Sequence, residues 1–338
     1  MSLDLAAISD AAAESAPMAT AFVKGRVLQY DADFGCYECA WLEESINSNI
    51  DTLKKHIDVK RQMAGAEFVN VHITLGMKGG RDQMATVKPY QEQRAGKNLE
   101  IKERVAILRN FLANYSTEIV TPIVNRLQEA DDSLTQMQVA SIQKHSSFQY
   151  SVIMSGDKDL WMSEGLHCDQ KTGRIYEVSG YGKTEYRDVG NKHPKLVGEG
   201  TSWFWHQMLH GDTADNIVGL PMLSGRLLNK YLPTKKYNAK RKPASCGEAK
   251  STAILNGVTN DREACNRVFE AYKDHWPNAT EMLVEQAFLL WMRRTSNIGD
   301  CIEFLNESGL ICDFSPAQKE RLQEFKRLAK IQIQASEE

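Results

Sequence analysis

The sequence predicts an α/β fold with a central, mostly parallel sheet, followed by a helical region. Up to about residue 200, apolar stretches with the length and period of buried strands alternate with helical stretches. After Thr201 the pattern changes to helices and loops. We therefore expect a flexible N-terminal segment over 1–24, an α/β domain over 25–200 and a helical region over 201–338.

The elements of the α/β part follow one another in a regular order. Residues 26–31 and 150–159 are apolar runs that end in polar turns, as buried strands do, and 67–76 alternates apolar and polar residues. Residues 98–115 carry one apolar helical stripe. The stretch 76–97 has glycines, a proline and mixed charge without a clean period, which predicts a long mobile connection.

The helical region is predicted from four stretches with helical spacing. They cover 201–210, 261–275, 279–294 and 315–332, and the first and last have Thr/Ser or Ser-Pro starts. The two histidines of the first stretch, His206 and His210, have a spacing that suits a metal. We expect them to pack in the fold or face DNA, because oxygen ligands already abound elsewhere.

Composition excludes several classes of protein. The chain is 42% hydrophobic and 25% charged, as in ordinary soluble proteins, and no run approaches the ~20 apolar residues of a membrane span. Acidic residues interrupt the Ala-rich start, so we expect neither a secretory signal nor membrane association. The odd count of seven cysteines predicts reduced thiols in a cytoplasm. Cys36 and Cys39 form a lone CxxC that we expect to pack in a helix rather than bind zinc.

Net charge is a weak guide to the partner here. The overall charge of −3 argues against nucleic acid only as an average. From Ser224 to Lys250 eight basic residues stand against one acid, Glu248, with Tyr231 and Tyr237 interleaved. This stretch is either a solvated basic loop or a surface for nucleic acid.

Acidic residues cluster at four places where predicted elements begin or end. The groups are Asp31 with Asp33 after the first strand, Glu129 with Asp131 and Asp132 at a helix start, Asp157 with Asp159 beyond a buried strand, and Asp212 with Asp215 in a polar turn. Each group alone has an ordinary explanation, because the helix dipole favours acids in a first turn. Ligands of parallel sheets collect at the carboxyl ends of the strands, so the four groups together predict one cluster.

Such a cluster predicts a metal centre. Converging carboxylates repel one another unless cations neutralise them. Oxygen ligands favour Mg²⁺ or Mn²⁺ over zinc, and two such ions about 4 Å apart are the usual arrangement for phosphodiester hydrolysis. We therefore predict two Mg²⁺ or Mn²⁺ ions acting on a phosphodiester.

Three motifs carry a family resemblance. EADD (129–132), SGDKDL (155–160) and GDTADNIVGLP (211–221), in this order and spacing, resemble the 5′-nuclease superfamily. That superfamily includes the 5′→3′ exonuclease domain of bacterial DNA polymerase I, phage 5′-exonucleases and flap endonucleases. YDADF (30–34) resembles its first-strand aspartate motif, and YQEQR (90–94) lies where the family has Tyr-Lys-x-x-Arg.

The resemblance extends over about residues 26–295 and implies a fold and a site. The fold would be a PIN-like α/β domain with a helix–three-turn–helix DNA-binding motif over 211–256, and 76–97 would be an arch that admits a single-stranded 5′ end. One metal would be held by Asp31 and Asp131 with Glu129 acting partly through water. The other would be held by Asp131, Asp157, Asp159 and Asp212, with Asp132 and Asp215 as further inner- or outer-shell carboxylates.

The sequence departs from the family pattern in three places. Met77 or Thr74 stands where the family has a second-strand aspartate, so one metal ligand is missing. Gln91 replaces the lysine of the Tyr-Lys pair, and we expect Lys88 or Arg94 to take its place. The helix–three-turn–helix is interrupted by the basic stretch, which resembles an insertion.

The resemblance also implies DNA contacts along the arch and the helix–three-turn–helix. In this chain the assigned residues are Arg81, Lys88, Arg94, Gly219, Lys240, Arg241, Lys242, Gly247, Lys250 and Ser251, with K⁺ beside the last helix start. Without the eight proposed ligands, 36 of the 44 acidic residues remain against 41 basic ones, a net of +5. The chain can therefore present a basic face around a metal-neutralised centre, and phosphate binding should depend strongly on salt.

We therefore predict a metal-dependent 5′→3′ exonuclease or flap endonuclease. Its partner would be DNA with a 5′ end or flap, or an RNA–DNA hybrid, and the protein would be a monomer. It would act in the cytoplasm, as a phage-encoded protein in a bacterial host, in replication or primer removal. The alternatives are a PIN-like ribonuclease and a DNA-binding member of the family with weakened catalysis.

Overall fold

The computed structural model of the protein describes residues 20–94, 99–188, 194–234 and 240–337. Most of the predicted N-terminal segment (1–19), the end of the predicted arch (95–97) and part of the basic stretch (235–239) lie outside the described residues. The first strand begins at Val23, two residues before the predicted domain boundary.

The first half of the chain alternates strands and helices. In chain order it contains β1 (Val23–Asp31), α1 (Ala32–Cys39), α2 (Ile46–Met63), β2 (Ala66–Thr74), α3 (Arg81–Met84), α4 (Leu99–Ala113), β3 (Val120–Asn125), α5 (Ala130–His145), β4 (Ser151–Met154), β5 (Gly165–Cys168) and β6 (Ile175–Val178).

The second half is mostly helical. It contains β7 (Lys183–Arg187), β8 (Lys195–Glu199), α6 (Thr201–His210), β9 (Met222–Leu223), α7 (Gly225–Tyr231), β10 (Ala244–Ser245), α8 (Glu248–Leu255), α9 (Asp261–His275), α10 (Ala279–Leu290), α11 (Asp300–Glu307) and α12 (Pro316–Glu337). None of the helices in the described ranges is long and apolar enough to span a membrane.

The main sheet confirms the predicted fold class. Its strand order is β3-β2-β1-β4-β5-β6, with parallel pairing throughout except between β5 and β6. Val69, Val71 and Ile73 of β2 are fully buried, as the alternating pattern predicts. Because parallel strands end at the same edge, the residues that follow β1, β2, β3 and β4 meet at one edge of the sheet.

Two hydrophobic cores correspond to the two halves of the chain. One packs the sheet against α1, α2 and α4, and it includes Cys36 and Cys39, so the expectation that these cysteines are packed thiols is confirmed. The other core lies among α6 to α12. Met84 and Tyr90 of the predicted arch belong to this second core, and the Thr86 backbone N–H donates to Glu285 of α10 at 2.9 Å. The prediction of a mobile connection is therefore wrong for residues 76–94, which are packed against the helical region.

The interruption of the predicted helix–three-turn–helix is closed by a short sheet. β9 and β10 pair antiparallel, and the Cys246 N–H donates to the Pro221 carbonyl at 3.3 Å. The stretches before and after the basic segment therefore adjoin. Within the segment α7 packs Leu227 and Leu228 into the second core, and Arg226 and Lys230 form ion pairs with Glu270 of α9.

Candidate metal and nucleic-acid site

Asp31 is fixed at the edge of the sheet where the parallel strands end. It is the last residue of β1, which pairs with β4 in the register Tyr30 to Met154, so it lies beside the turn that follows β4. One of its oxygens caps α1 by accepting from the Phe34 N–H at 3.0 Å, and the other accepts from the Ser155 hydroxyl at 2.6 Å. Burial first, and the charge of Asp33 second, raise the pKa of Asp31 to about 7.

Asp131 is the central carboxylate of the cluster. It lies in the first turn of α5, where the helix dipole favours an acid. Burial and the charges of Asp31, Asp157 and Glu129 raise its pKa well above the usual range. It has neither a hydrogen-bond donor nor an ion-pair partner within the described ranges. Asp131 thus lies among other carboxylates without a cationic side chain of the described residues beside it, and such a carboxylate is suited to bind a metal ion.

Asp157 and Asp159 come from the short 3₁₀ turn after β4. The Asp157 carboxylate accepts from the Asp159 N–H at 2.8 Å, which fixes the turn. Asp159 is 6% exposed and accepts from the Gln207 side chain at 2.6 Å and from the Trp203 indole at 3.3 Å. α6 therefore holds this carboxylate in place. Burial and the charge of Asp157 raise the pKa of Asp159 well above the usual range.

Lys158 lies between the carboxylates of two different segments. Its ammonium is 2.7 Å from Asp212 Oδ2 and 3.3 Å from Asp159 Oδ1. Burial raises the pKa of Asp212, but the Lys158 charge and the hydrogen bonds from Asp159, Lys158 and the Ala214 N–H together outweigh burial, so the pKa lies below the usual value. Sequence reasoning missed this residue, although its place between two aspartates was the available signal.

Tyr90 and Gln91 tie the two remaining acidic groups together. The Tyr90 hydroxyl lies 3.0 Å from Glu129 and 3.1 Å from Asp215, and the Gln91 amide nitrogen lies 3.3 and 3.1 Å from the same two carboxylates. Gln91 has a φ of 54°, a backbone conformation that costs a non-glycine residue energy and is often found at functional sites. Arg94 forms an ion pair with Asp215.

Lys78 supplies a positive charge next to Gln91, and sequence reasoning missed it. Its ammonium donates to the Gln91 side-chain oxygen at 2.6 Å and lies 5.3 Å from the centre of the Tyr90 ring. Within the described part of the chain it has no carboxylate partner. Lys88, which we expected to replace the missing lysine, is exposed. Arg94, the other expected replacement, does lie at the site.

Two predicted site residues are instead structural. Asp132 is fully buried, and its two oxygens accept from Arg81 at 2.8 and 2.9 Å and pair with Arg293 at 3.0 Å. Arg81 is 1% exposed and also pairs with Glu129 at 2.8 Å. A direct metal bond by Asp132 and a DNA contact by Arg81 are therefore contradicted, because each group satisfies the other inside the protein. An outer-shell place for Asp132, through Arg81 and Glu129, stays a prediction.

Two of the predicted DNA contacts are also contradicted. Ser251 is fully buried, with its hydroxyl 2.8 Å from the Glu248 carbonyl and 3.2 Å from His206. The Gly219 N–H is buried and donates to Gln286 at 2.9 Å. The other assignments to DNA stay predictions: Lys88, Lys240, Lys242 and Gly247 are exposed, Lys250 is half-buried, and so is Arg241, whose Nη1 donates to the Leu228 and Leu232 carbonyls.

Thr74 is one of the two residues, with Met77, that stand where the family pattern has a second-strand aspartate. Thr74 ends β2, and its hydroxyl accepts from the Ala130 N–H at 2.9 Å, which anchors the start of α5. Its own N–H donates to Asp33 at 3.1 Å, and Asp33 pairs with Arg109 at 2.7 Å. Of the two histidines of α6, His206 is buried and contacts Thr184 and Ser251, as expected for a packing residue, and His210 is half-buried.

The chemistry of the cluster fits divalent cations, although the ligands are not preformed. After burial, the charge of Asp157 raises the pKa values of Asp31, Asp131 and Asp159, so a cation would relieve their repulsion. Within residues 20–94, 99–188, 194–234 and 240–337, no three His, Cys, Asp or Glu side chains already surround one point at metal-bonding distance. Binding would therefore require side-chain movement, above all of Lys158 away from Asp212.

The fold, with its carboxylate cluster at the ends of the parallel strands, is an α/β fold similar to that of solved metal-binding nuclease structures. Two solved structures from bacteriophage T5 share the fold. The T5 5′-exonuclease with bound zinc matches with a TM-score of 0.53 at 14% identity, and the T5 D15 protein co-crystallized with metal ions matches with 0.50 at 12% identity. In both cases the match covers 90% of this chain and 99% of the other. The predicted resemblance is confirmed at the level of the fold.

Sequence comparison alone finds no counterpart. No protein-family model matches the chain, and no curated protein sequence matches it significantly.

The raised carboxylate pKa values predict how pH and metal act on stability. An unfolded Asp31 titrates near 3.8 and the folded one near 7, so the metal-free protein loses stability as the pH rises from about 4 through 7. A divalent cation should offset this loss. We expect Mg²⁺ to raise the melting temperature more at pH 8 than at pH 5.5, measured by differential scanning calorimetry. Equal effects at both pH values would contradict the account, and Asp31→Asn should reduce the difference.

Proposed function

We propose that the protein is a divalent-metal-dependent nuclease that cuts DNA near 5′ ends, as a 5′→3′ exonuclease or a flap endonuclease. The carboxylate cluster at the strand ends carries the proposal, above all Asp131, which lacks a hydrogen-bond or ion-pair partner among the described residues. Asp31, Asp131, Asp157, Asp159 and Asp212 would hold two Mg²⁺ or Mn²⁺ ions. Bound ions supply an activated water and stabilise charge on a phosphate.

The chain's own residues would position the carboxylates and the substrate. Tyr90 and Gln91 connect Glu129 with Asp215 and so hold the two sides of the cluster together. Lys78 and Arg94 lie at the same side, and their positive charges are suited to the substrate's phosphates.

Exposed aromatic side chains next to the cluster support a nucleic-acid substrate. Phe34, Tyr37 and Trp41 are 38%, 47% and 56% exposed on and just after α1, which begins directly after Asp31. Bases stack on such rings irrespective of sequence. At the other side of the site the exposed Gly247 begins α8, and helix starts of this kind bind phosphates.

The choice of DNA follows from the likeness to T5 5′-exonuclease, and two alternatives have their own support. A PIN-like ribonuclease would have the same sheet and acidic cluster. A DNA-binding protein with weakened catalysis is suggested by Met77 and Gln91, which stand where the family pattern has an aspartate and a lysine. The retained carboxylates argue against it, since a pure binding protein would gain nothing from their mutual repulsion.

From the likeness to T5 5′-exonuclease we also propose a monomer that acts in phage replication or primer removal, with K⁺ at the helix–three-turn–helix.

A substrate panel tests the proposal. Wild-type protein is incubated with 5′-labelled duplex, 5′-flap and single-stranded DNA, and with the matching RNA, in Mg²⁺, Mn²⁺ or EDTA. We expect cleavage of DNA that carries a 5′ end or flap, and none in EDTA. Cleavage of RNA alone would support the ribonuclease, binding without cleavage would support the weakened member, and neither binding nor cleavage would refute all three.

Lys78 provides a further prediction. If its ammonium meets a substrate phosphate, Lys78→Met should weaken DNA binding and reduce the slope of log K against log salt by about one. Fluorescence anisotropy over a salt series, in Ca²⁺ or EDTA to prevent cleavage, measures both. Lys144→Met is the matched control, because it removes the same charge from an exposed position in the last turn of α5, at the end opposite Asp131. A larger effect of Lys144→Met would contradict the role of Lys78.

A further inference from the structure

A cavity of about 240 Å³ lies beside the carboxylate cluster, and the site described above does not use it. It is bounded on one side by the β7–β8 hairpin and on the other by Trp161 and by Tyr176 of the edge strand β6. Trp203 of α6 forms part of its lining.

The aromatic walls are fixed in place. The Trp161 ring stacks on His167 with the ring centres 5.1 Å apart and the planes 20° apart, and the Tyr176 ring meets Trp161 edge-on at 5.6 Å. The Trp203 indole donates to Asp159 at 3.3 Å. Tyr176 is 40% exposed. The cavity therefore presents flat aromatic surfaces, held by neighbours, that suit a planar group.

The charges that line the cavity balance. Its three basic residues, Lys158, Lys183 and Arg187, face three acidic ones, Asp169, Glu185 and Glu199. Lys183 pairs with Glu199 at 3.8 Å and Arg187 with Glu185 at 2.6 Å. A lining without net charge disfavours a phosphate or a metal ion, and it offers both donors and acceptors to an uncharged ring.

Lys158 connects this cavity with the carboxylate cluster. The residue lines the cavity, and its ammonium is 2.7 Å from Asp212 and 3.3 Å from Asp159. A nucleotide whose phosphate lies at the cluster can therefore place its base in a space one side chain away. The volume suits a single base rather than several.

We propose that this cavity binds one unstacked nucleobase of the cut strand, from a nucleotide next to the scissile phosphate. The inference rests on the proposed nuclease function. Removing a base from its stack costs energy, and stacking against Trp161 and Tyr176 together with hydrogen bonds from the lining would offset that cost.

A scan with abasic nucleotides tests the proposal. Flap substrates carry a single abasic nucleotide at successive positions on both sides of the cut, and cleavage rates are measured for each. We expect the wild type to lose roughly 10-fold at one position, the magnitude of one lost stacking contact. Trp161→Ala should show the same loss on the intact substrate and no further loss at that abasic position.

Two more variants test whether the cavity itself causes the abasic effect. Val197→Phe fills the cavity without removing an aromatic wall, and it should abolish the abasic effect even if Trp161→Ala does not fold. Tyr186→Ala removes an exposed aromatic residue of β7 that does not line the cavity, and it should keep the abasic effect. Wild-type cleavage that tolerates an abasic nucleotide at every position would overturn the cavity proposal alone. Failure of the wild type to cut the intact substrate would overturn the proposed function instead.

Discussion

Asp131→Asn should lower metal-dependent cleavage at least ~100-fold while making the metal-free protein more stable. Cleavage is lost because Asp131 lies among the charges of Asp31, Asp157 and Glu129 and has no hydrogen-bond or ion-pair partner within the described residues. Stability is gained because an amide at this position no longer repels those three groups. Cleavage of a 5′-flap substrate and the melting temperature in EDTA measure the two effects.

A loss of cleavage together with a gain in stability distinguishes a functional carboxylate from a structural one. Asp82→Asn is the matched control, because Asp82 is exposed in the nearby helix α3, and it should change neither quantity appreciably. The stabilisation by Mg²⁺ should also be smaller in Asp131→Asn than in the wild type. A variant that loses cleavage and also melts earlier in EDTA would show that Asp131 stabilises the fold, contrary to our account.

Arg81→Met should destabilise the protein by about 3–5 kcal/mol, because it removes a partner from the buried charge of Asp132. Arg81 is 1% exposed, and it joins α3 to Asp132 of α5 and, through the Leu289 and Trp291 carbonyls, to the end of α10. The remaining partner, Arg293, lies in the segment after α10. Urea unfolding measures the free energy of unfolding.

Controls for this second prediction separate the buried charge from an exposed one. Arg81→Lys keeps a positive charge beside Asp132 and should lose less stability than Arg81→Met, since the buried carboxylate keeps a partner of opposite charge. Arg187→Met breaks an exposed pair with Glu185 and should cost less than about 1 kcal/mol. Equal losses in Arg81→Met and Arg187→Met would contradict the structural role of the buried cluster.

The acidic cluster could be predicted from the sequence because it depends on simple rules. Asp31 ends one strand and Asp157 comes shortly after another, the sequence predicts both strands to be buried, and parallel strands end at one edge of the sheet. The helical region after Thr201 and the packed cysteines followed from periodicity and composition in the same way.

Other parts of the site depend on contacts between distant residues, which a single sequence does not reveal. Asp131 and Asp132 are adjacent, but successive helical residues point about 100° apart, so one faces the cluster and the other the interior. The partner that decides the role of Asp132 is Arg81, 51 residues away. Likewise Ser251 is withdrawn from the surface by His206, 45 residues away, and Lys78 reaches the site through Gln91 rather than through a motif.

The central claim is that the carboxylate cluster cuts DNA with the help of divalent metal, and one comparison tests it most directly. Wild type and Asp157→Ala are assayed side by side on a 5′-labelled flap substrate in Mg²⁺, with circular dichroism to verify that both are folded. We predict cleavage by the wild type and a loss of at least ~100-fold in the variant. Undiminished cleavage by folded Asp157→Ala would contradict the assignment of the site, and a folded wild type that cuts no DNA in Mg²⁺ or Mn²⁺ would contradict the function.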